Sequence, residues 1–494
     1  MRPILKPGRL SLPARLTLIL LLASLPACVR PEPTGTPQPL ASCGDGLCGS
    51  GETDGNCPQD CPGQPFEDRF ELTRILSEGN GEIAVLIASP LEPRYPEGAG
   101  VVVVVSPFFG SQIGFQTSPD FTSLGLIQIT YLWPGLSDPA WEASSAGEFD
   151  YGGEASIQAL QDVLRFASGL QPDVSGRYLV ALTRATPLMD EIGLYASADA
   201  AIAAVNVLSL HSKRLQSVGT LVAYAPDSLD TISALEAGHR DRNGIPVYNP
   251  FYTYPGSYSP EQIRLNFANL RWDPGTTSED SPFTGRPYLD LDSSGDLSAP
   301  DHLFADQVPV MFGKRYYSTS LTRALLDNGA LSLAVWPGDL ATPAEAERDW
   351  PFRQTLPSHF YEMNAQNPDL DIKVMLVFGQ EDPYQVAIDK PHVHQLFQGF
   401  RFIARQWVRL NPDRSYAEQL LQRSALDFPD NPANTQPDDW LEIASFAYPG
   451  QGQVNQRMQL AGVAEMADRL HTGRWDENVG QTFYAPAPTP TPEP

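Results

Sequence analysis

An uninterrupted run of five valines, Val101 to Val105, sets the strongest limit on how this chain can fold. β-Branched residues favour a strand, and with no polar position among them neither face can meet water. A strand covered on both faces belongs inside a parallel sheet with helices on either side. The surrounding sequence supplies the other parts of such a sheet. Phe70–Ser77 and Glu82–Ser89 read as a hairpin joined at Gly79-Asn80-Gly81, and Leu126–Leu132 as another strand. Glu154–Leu170 carries Ile157, Leu160, Val163, Leu164 and Phe166 on a helical period. Ile192–Tyr195 is a short strand that runs straight into Ala198–Leu210, apolar on nearly every face and so a buried helix. Val218–Tyr224, Lys373–Phe378 and Trp407–Leu410 complete the strands. A proline- and aromatic-rich insertion, about residues 226–371, separates the last two from the rest. It holds a helix over Ser320–Asn328 stopped by Gly329, and the aromatic clusters Tyr248–Tyr254 and Arg315-Tyr316-Tyr317, which read as packing, with a binding cleft for a sugar, peptide or lipid as the alternative.

The two ends have a different character. Arg2, Lys6, Arg9 and Arg15 precede the apolar run Leu16–Leu22, too short to span a bilayer, so residues 1–27 read as a signal peptide. Leu25-Pro26-Ala27-Cys28 resembles the lipobox of bacterial lipoproteins, which implies an acylated Cys28; cleavage near Ala27 without lipid is the alternative. Residues 28–42 then form the anchor and a proline-rich linker, and 485–494 a disordered tail of similar composition. Cys43, Cys48, Cys57 and Cys61 crowd into residues 43–62, a glycine-rich stretch with too little apolar surface to fold by burial. Two disulfides are the expected staple, with zinc as the alternative. The stretch resembles small CGDGxC modules of exported proteins. Loss of the first 27 residues moves the formal charge from −26 to −30, which makes nucleic acid and anionic lipid surfaces poor partners. The expected location is the outer face of the cell membrane, with the lipid anchor in the bilayer and an extracellular ligand or substrate as the other partner.

Three passages carry a resemblance to the α/β-hydrolase superfamily over roughly residues 70–425. They are Val101–Val105 with Ser106-Pro107-Phe108-Phe109-Gly110, Ile192 to Ala201, and Lys373 to Pro383. The resemblance implies a mostly parallel sheet with flanking helices and a large cap inserted before the last two strands, over residues 65–484. It also implies that the passages are the strand before the oxyanion loop, the nucleophile elbow and the strand bearing the acid. The elbow needs small residues two positions either side of the nucleophile, because strand and helix backbones come close there. Centring on Ala198 gives Ala196 and Ala200, which fit, and puts alanine where the nucleophile belongs. Centring on Asp199 gives Ser197 and Ala201, which are acceptable; centring on Ser197 gives the bulky Tyr195 and Asp199. Asp382 is the candidate acid, or a turn carboxylate. His392 and His394 are candidate bases, candidate metal ligands with Asp382, or a structural pair. His211, His239, His302, His359 and His471 have no motif around them.

A further motif lies in the insertion. Asp290, Asp292, Ser294, Asp296 and Asp301 stand at positions 1, 3, 5, 7 and 12 of an EF-hand loop, with Gly295 at 6, where the sharp turn needs it. Such oxygens suit a structural calcium; an acidic turn is the alternative. Together these features predict an exported, lipid-anchored α/β-hydrolase-fold protein with a degenerate elbow, acting in ligand binding or as a scaffold. The alternatives are an active ester or peptide hydrolase using Ser197 or Asp199, and a surface adhesion module.

Overall fold

The computed structural model describes residues 69–475, apart from 110–113, 225–234, 242–244, 253–264, 279–280, 355–356, 367–370, 379–385, 387–390, 403–406 and 413–450. The chain divides between Pro65 and Phe66. Cys28, Cys43, Cys48, Cys57, Cys61 and the terminal tail lie outside the described residues.

The expected strands appear in chain order as β1 (Phe70–Ser77), β2 (Gly81–Ala88), β3 (Ala99–Val105) and β4 (Ile127–Tyr131), then β5 (Pro187–Ser197) and β6 (Val218–Tyr224). After the insertion come β7 (Lys373–Val377) and β8 (Val408–Leu410). They form one eight-stranded sheet in the order β1-β2-β4-β3-β5-β6-β7-β8. Only β2 runs antiparallel to its neighbours; every pairing from β4 across to β8 is parallel. This is the mostly parallel α/β-hydrolase-like sheet implied by the resemblance.

The valine run in β3 is buried on both sides, as its composition demands. Val101, Val103 and Val105 face a core shared with helices α1 (Glu154–Ala167) and α2 (Ala200–His211). Val102 and Val104 face a second core on the opposite side of the sheet. Helix α2 has every residue from Ala200 to Ser209 buried, which explains its lack of a polar stripe. β5 is longer than the expected Ile192–Tyr195. Its pairing with β3 jumps from Gly100–Leu188 to Val101–Ile192, so Met189, Asp190 and Glu191 bulge out of register. A bulge breaks the alternation by which a strand is read.

In the insertion, helices α3 (Thr319–Asp327) and α4 (Pro343–Asp349) pack with a long hairpin, Leu270–Ser278 against Ser281–Leu289, around their own core. Gly329, at φ +69, follows α3 as expected of a C-cap residue. Tyr316 and Tyr317 are fully buried, so this aromatic pair is packing, whereas Tyr248 is exposed. Arg315 is buried too, between the rings of Trp272 and Phe283 at 5.7 and 5.1 Å. Helices α5 (Pro357–Gln366) and α6 (Pro391–Phe402) return the chain to the sheet, and α5 packs on α2.

The second face is covered by α7 (Gln451–Thr472), a helix that the sequence reading does not contain. Met458, Ala461, Ala464 and Met466 lie against the sheet, and Gly462 sits so close to Val222, Met375 and Val377 that a Cβ would meet them at 3.2–3.3 Å. Charges are buried beneath the same helix. Arg94 donates two hydrogen bonds of 2.6 Å to Asp468, and Tyr95 donates to the same carboxylate at 2.9 Å. Glu465 accepts from both Arg409 and Arg469 at 2.8 Å. With 1% and 0% of the Arg94 and Asp468 side chains exposed, removing one partner strands the other charge in a dry site. Asp468→Ala is therefore expected to lower the unfolding free energy by about 3–5 kcal/mol in urea titration. A loss under about 1 kcal/mol would show that the pair is not dry.

Candidate active-site region at the turn from β5 to α2

The central strand must turn sharply for α2 to lie back across the sheet, and the turn is made at Ala198, with φ +49. Ala198 donates its N–H to the carbonyl of Tyr224 at the end of β6 (3.0 Å) and accepts from Ala201 (3.1 Å). The flanking Ala196 and Ala200 are both completely buried, so strand and helix approach without room for larger side chains. A methyl group thus stands at the apex of the turn. Ser197 is the last residue of β5 and shares the Tyr195 side of the strand. Tyr195 belongs to the core under α7, its hydroxyl donates to Gln459 of that helix (2.8 Å), and Ser197 hydrogen-bonds to the same hydroxyl.

Asp199 has helical backbone angles, φ −61 and ψ −24, one residue beyond the apex. Its buried side chain turns back toward the loop that follows β3. One carboxylate oxygen, Oδ2, accepts from the backbone N–H of Phe108 at 2.5 Å and of Phe109 at 2.7 Å. The N–H of Asp199 itself also points at the carboxylate. The loop is pinned from behind: the Trp133 indole donates to the carbonyls of Ser106 (3.1 Å) and Pro107 (3.2 Å), leaving the next two N–H groups facing Asp199. Gly152, at φ +77, lies against the Phe108 ring, where a Cβ would come within 2.7 Å. In an α/β-hydrolase, the N–H of the residue after the nucleophile and an N–H of the loop after β3 form the oxyanion hole. Here these positions surround a carboxylate of the chain itself.

The cap closes over this loop. The Phe109 ring meets Trp350 edge-on at 6.2 Å, and Arg353 donates to the carbonyl of Tyr151 at 2.9 Å and to those of Asp150 and Asp349.

The other candidate residues fall as follows. Asp382 lies outside the described residues, beyond the end of β7. His392 and His394 both fall in the first turn of α6; His392 is buried, and the side chain of His394 lies outside the described residues. Asp290, Asp292 and Asp301 do converge, each placing a carboxylate oxygen within 4.8 Å of the others. Gly295 takes φ +83 at the turn, and the Ser294 hydroxyl donates to the Asp296 carbonyl at 2.8 Å. His239 and His302, without a motif in sequence, meet in the cap with ring centroids 6.1 Å apart. Burial pushes both down to about 4, so they pack as neutral rings. The contact between Asp199 and the Phe108-Phe109 loop is not legible in the sequence. Its only trace is the recurrence of a Ser106-Pro-Phe-Phe-Gly110 loop and an acidic residue at the places where an oxyanion hole is expected.

The sheet order, the apex at Ala198 and the capping insertion define an α/β-hydrolase fold. No protein-family model and no curated protein sequence matches the chain. Among solved structures the chain is similar to a fungal esterase from Rhizomucor miehei (9% identity, 81% of this chain and 84% of that one, TM-score 0.37). It is also similar to a thermostable carboxylesterase from a metagenomic library (10%, 81% and 89%, TM-score 0.34). A third is Porphyromonas gingivalis dipeptidyl peptidase 4 (10%, 69% and 31%, TM-score 0.31). The chain spans 22% to 50% of the length of three further matched chains. At these scores the likeness adds no weight to the topology, on which the fold class rests.

Burial pushes the Asp199 carboxyl up from 3.8 to about 7, outweighing the backbone N–H groups that pull it down. An acid raised in this way holds its proton more tightly in the folded chain. Its contribution to stability is full below about pH 4 and is lost as pH rises through 7. Unfolding of the native chain and of Asp199→Asn, compared from pH 4 to 8, is expected to show the native chain losing up to about 4 kcal/mol relative to the variant by pH 7 and nothing more above it. A difference independent of pH would contradict that environment.

Proposed function

We propose that this is a non-hydrolytic α/β-hydrolase-fold protein that binds a ligand or serves as a scaffold outside the cytoplasm, held at the membrane by lipid on Cys28. The observation that carries the reading is the methyl group of Ala198 at the apex of the turn. Without a nucleophile there, the covalent route is closed, since removing such a group costs on the order of 10⁶ in turnover. Two facts about the neighbours support it: the half-buried Ser197 hydrogen-bonds to the Tyr195 hydroxyl, and one oxygen of the Asp199 carboxylate accepts from two backbone N–H groups. Export and lipidation are supported by the signal-like N-terminus and by Cys28 at the end of a lipobox-like tetrapeptide.

Calcium belongs to the same reading. The oxygens of Asp290, Asp292 and Asp301 all lie within 4.8 Å of one another, a span that bonds of about 2.3–2.6 Å to one ion would cover, which supports a cation there. Bound there, it would pin the loop between the cap hairpin and the short strand at His302-Leu303.

Two measurements test the proposal. Treatment of the purified protein with a fluorophosphonate is expected to leave its intact mass unchanged, with ester turnover at background. A label on Ser197, or oxygen-18 incorporated at Asp199 during a single turnover, would establish the competing active hydrolase. Chelation is expected to lower the melting temperature of the native chain and to leave that of Asp301→Ala unmoved; equal behaviour of the two would remove calcium from the account.

A further inference from the structure

The turn at Ala198 leaves a question that the loss of the nucleophile does not answer: what becomes of the N–H groups that an oxyanion would have used. Backbone donors buried without a partner are costly, so an abandoned hole must be filled or collapse. We propose that the N–H groups of Phe108, Phe109 and Asp199 still form an anion cradle, and that its resident occupant is the Asp199 carboxylate. This rests on the reading of Ala198 as a vacated nucleophile position and extends it: the chain supplies its own anion.

Three observations support the proposal independently of the helix end at which Asp199 stands. The two loop donors reach a single oxygen, at 2.5 and 2.7 Å, as they would reach one oxyanion. They are held in place from outside, by Trp133 on the carbonyls behind them and by Gly152 against the Phe108 ring, so the cradle does not depend on its occupant for its shape. It is largely enclosed, with Phe108 fully buried, Asp199 6% exposed and Phe109 half-buried. Burial keeps the proton on Asp199 until about pH 7, so the carboxylate is the occupant above that pH, where a pre-shaped cluster of N–H groups suits a small anion with planar oxygens. Formate or acetate is the chemical class that would replace the side chain if it were shortened.

The occupant also connects two parts of the fold. Phe109, fixed through its N–H, presents its ring to Trp350 of the cap, which Arg353 ties to the backbone of residues 150 and 151. The occupant thus adds its hydrogen bonds to the contacts from Trp133 and Gly152 that hold the loop in the position against which the cap packs.

Asp199→Gly empties the cradle and tests this directly in the full chain. At pH 8, hydrogen exchange at the Phe108 and Phe109 amides is expected to be about tenfold or more faster than in the native chain. Sodium formate at about 100 mM should restore the protection and raise the melting temperature of the variant saturably, while equal sodium chloride does neither and the native chain does not respond. Unchanged exchange at the two amides, or a response to formate no larger than to chloride, would overturn the proposal. If Asp199→Gly does not fold, Asp199→Asn serves instead. Its amide oxygen accepts more weakly than a carboxylate, so exchange at both amides should rise; no rise would count against the cradle. The outcomes separate from those of the functional reading. Fluorophosphonate labelling of the native chain would end that reading whatever formate does, and failure of the formate rescue leaves Ala198 where it is.

Discussion

A chain that leaves the middle of a parallel sheet and returns across it as a helix has to reverse within very few residues, and at Ala198 it does so with a positive φ. That single backbone choice fixes what the neighbours can be. Ala196 and Ala200 must be small because strand and helix close on each other. Ser197, still in the strand, takes the face under α7, while Asp199, already helical, is aimed at the loop after β3. In an enzyme of this fold the strain of the turn serves to expose a nucleophile. Here the same turn exposes a methyl group, and the strained conformation is retained by its hydrogen bond to β6 and by the packing of a helix buried on all sides.

The sheet that supports this turn is closed on its two faces by different means. Under α1, α2, α5 and α6 the core is mainly aliphatic and aromatic, with polar side chains such as Gln161, Asp162 and Asn206 buried beside it. Under α7 it contains Arg94 with Asp468, and Glu465 between Arg409 and Arg469. Buried ion pairs contribute little net stability but are strongly directional. They set the position of α7 along the strands, where a smooth contact of alanine, glycine and methionine would let it slide.

Much of the sheet was legible in the sequence because strands buried on both faces leave contiguous apolar runs, as Val101–Val105 does. The bulged start of β5 was not, since Asp190 and Glu191 sit where alternation fails. Helix α7 was hidden by the charges just described: Glu465, Asp468 and Arg469 lie on its buried side, inverting the contrast on which amphipathic patterns depend. The cap hairpin was missed for a similar reason, its strands being rich in proline, glycine and polar residues. At the elbow, the spacing of small residues was enough to favour Ala198. The role of Asp199 was not visible, because it is set by two N–H groups some ninety residues earlier, and backbone donors leave no signature in side-chain type.

The central claim is that the turn carries no nucleophile and that its anion cradle is occupied by the chain. A high-resolution crystal structure of the protein at pH 8 tests it most directly. The account predicts Ala198 at positive φ, with an Asp199 carboxylate oxygen within hydrogen-bonding distance of both the Phe108 and the Phe109 nitrogens. An Asp199 side chain swung out into a cleft, with water or a solute ion between those two nitrogens, would contradict it.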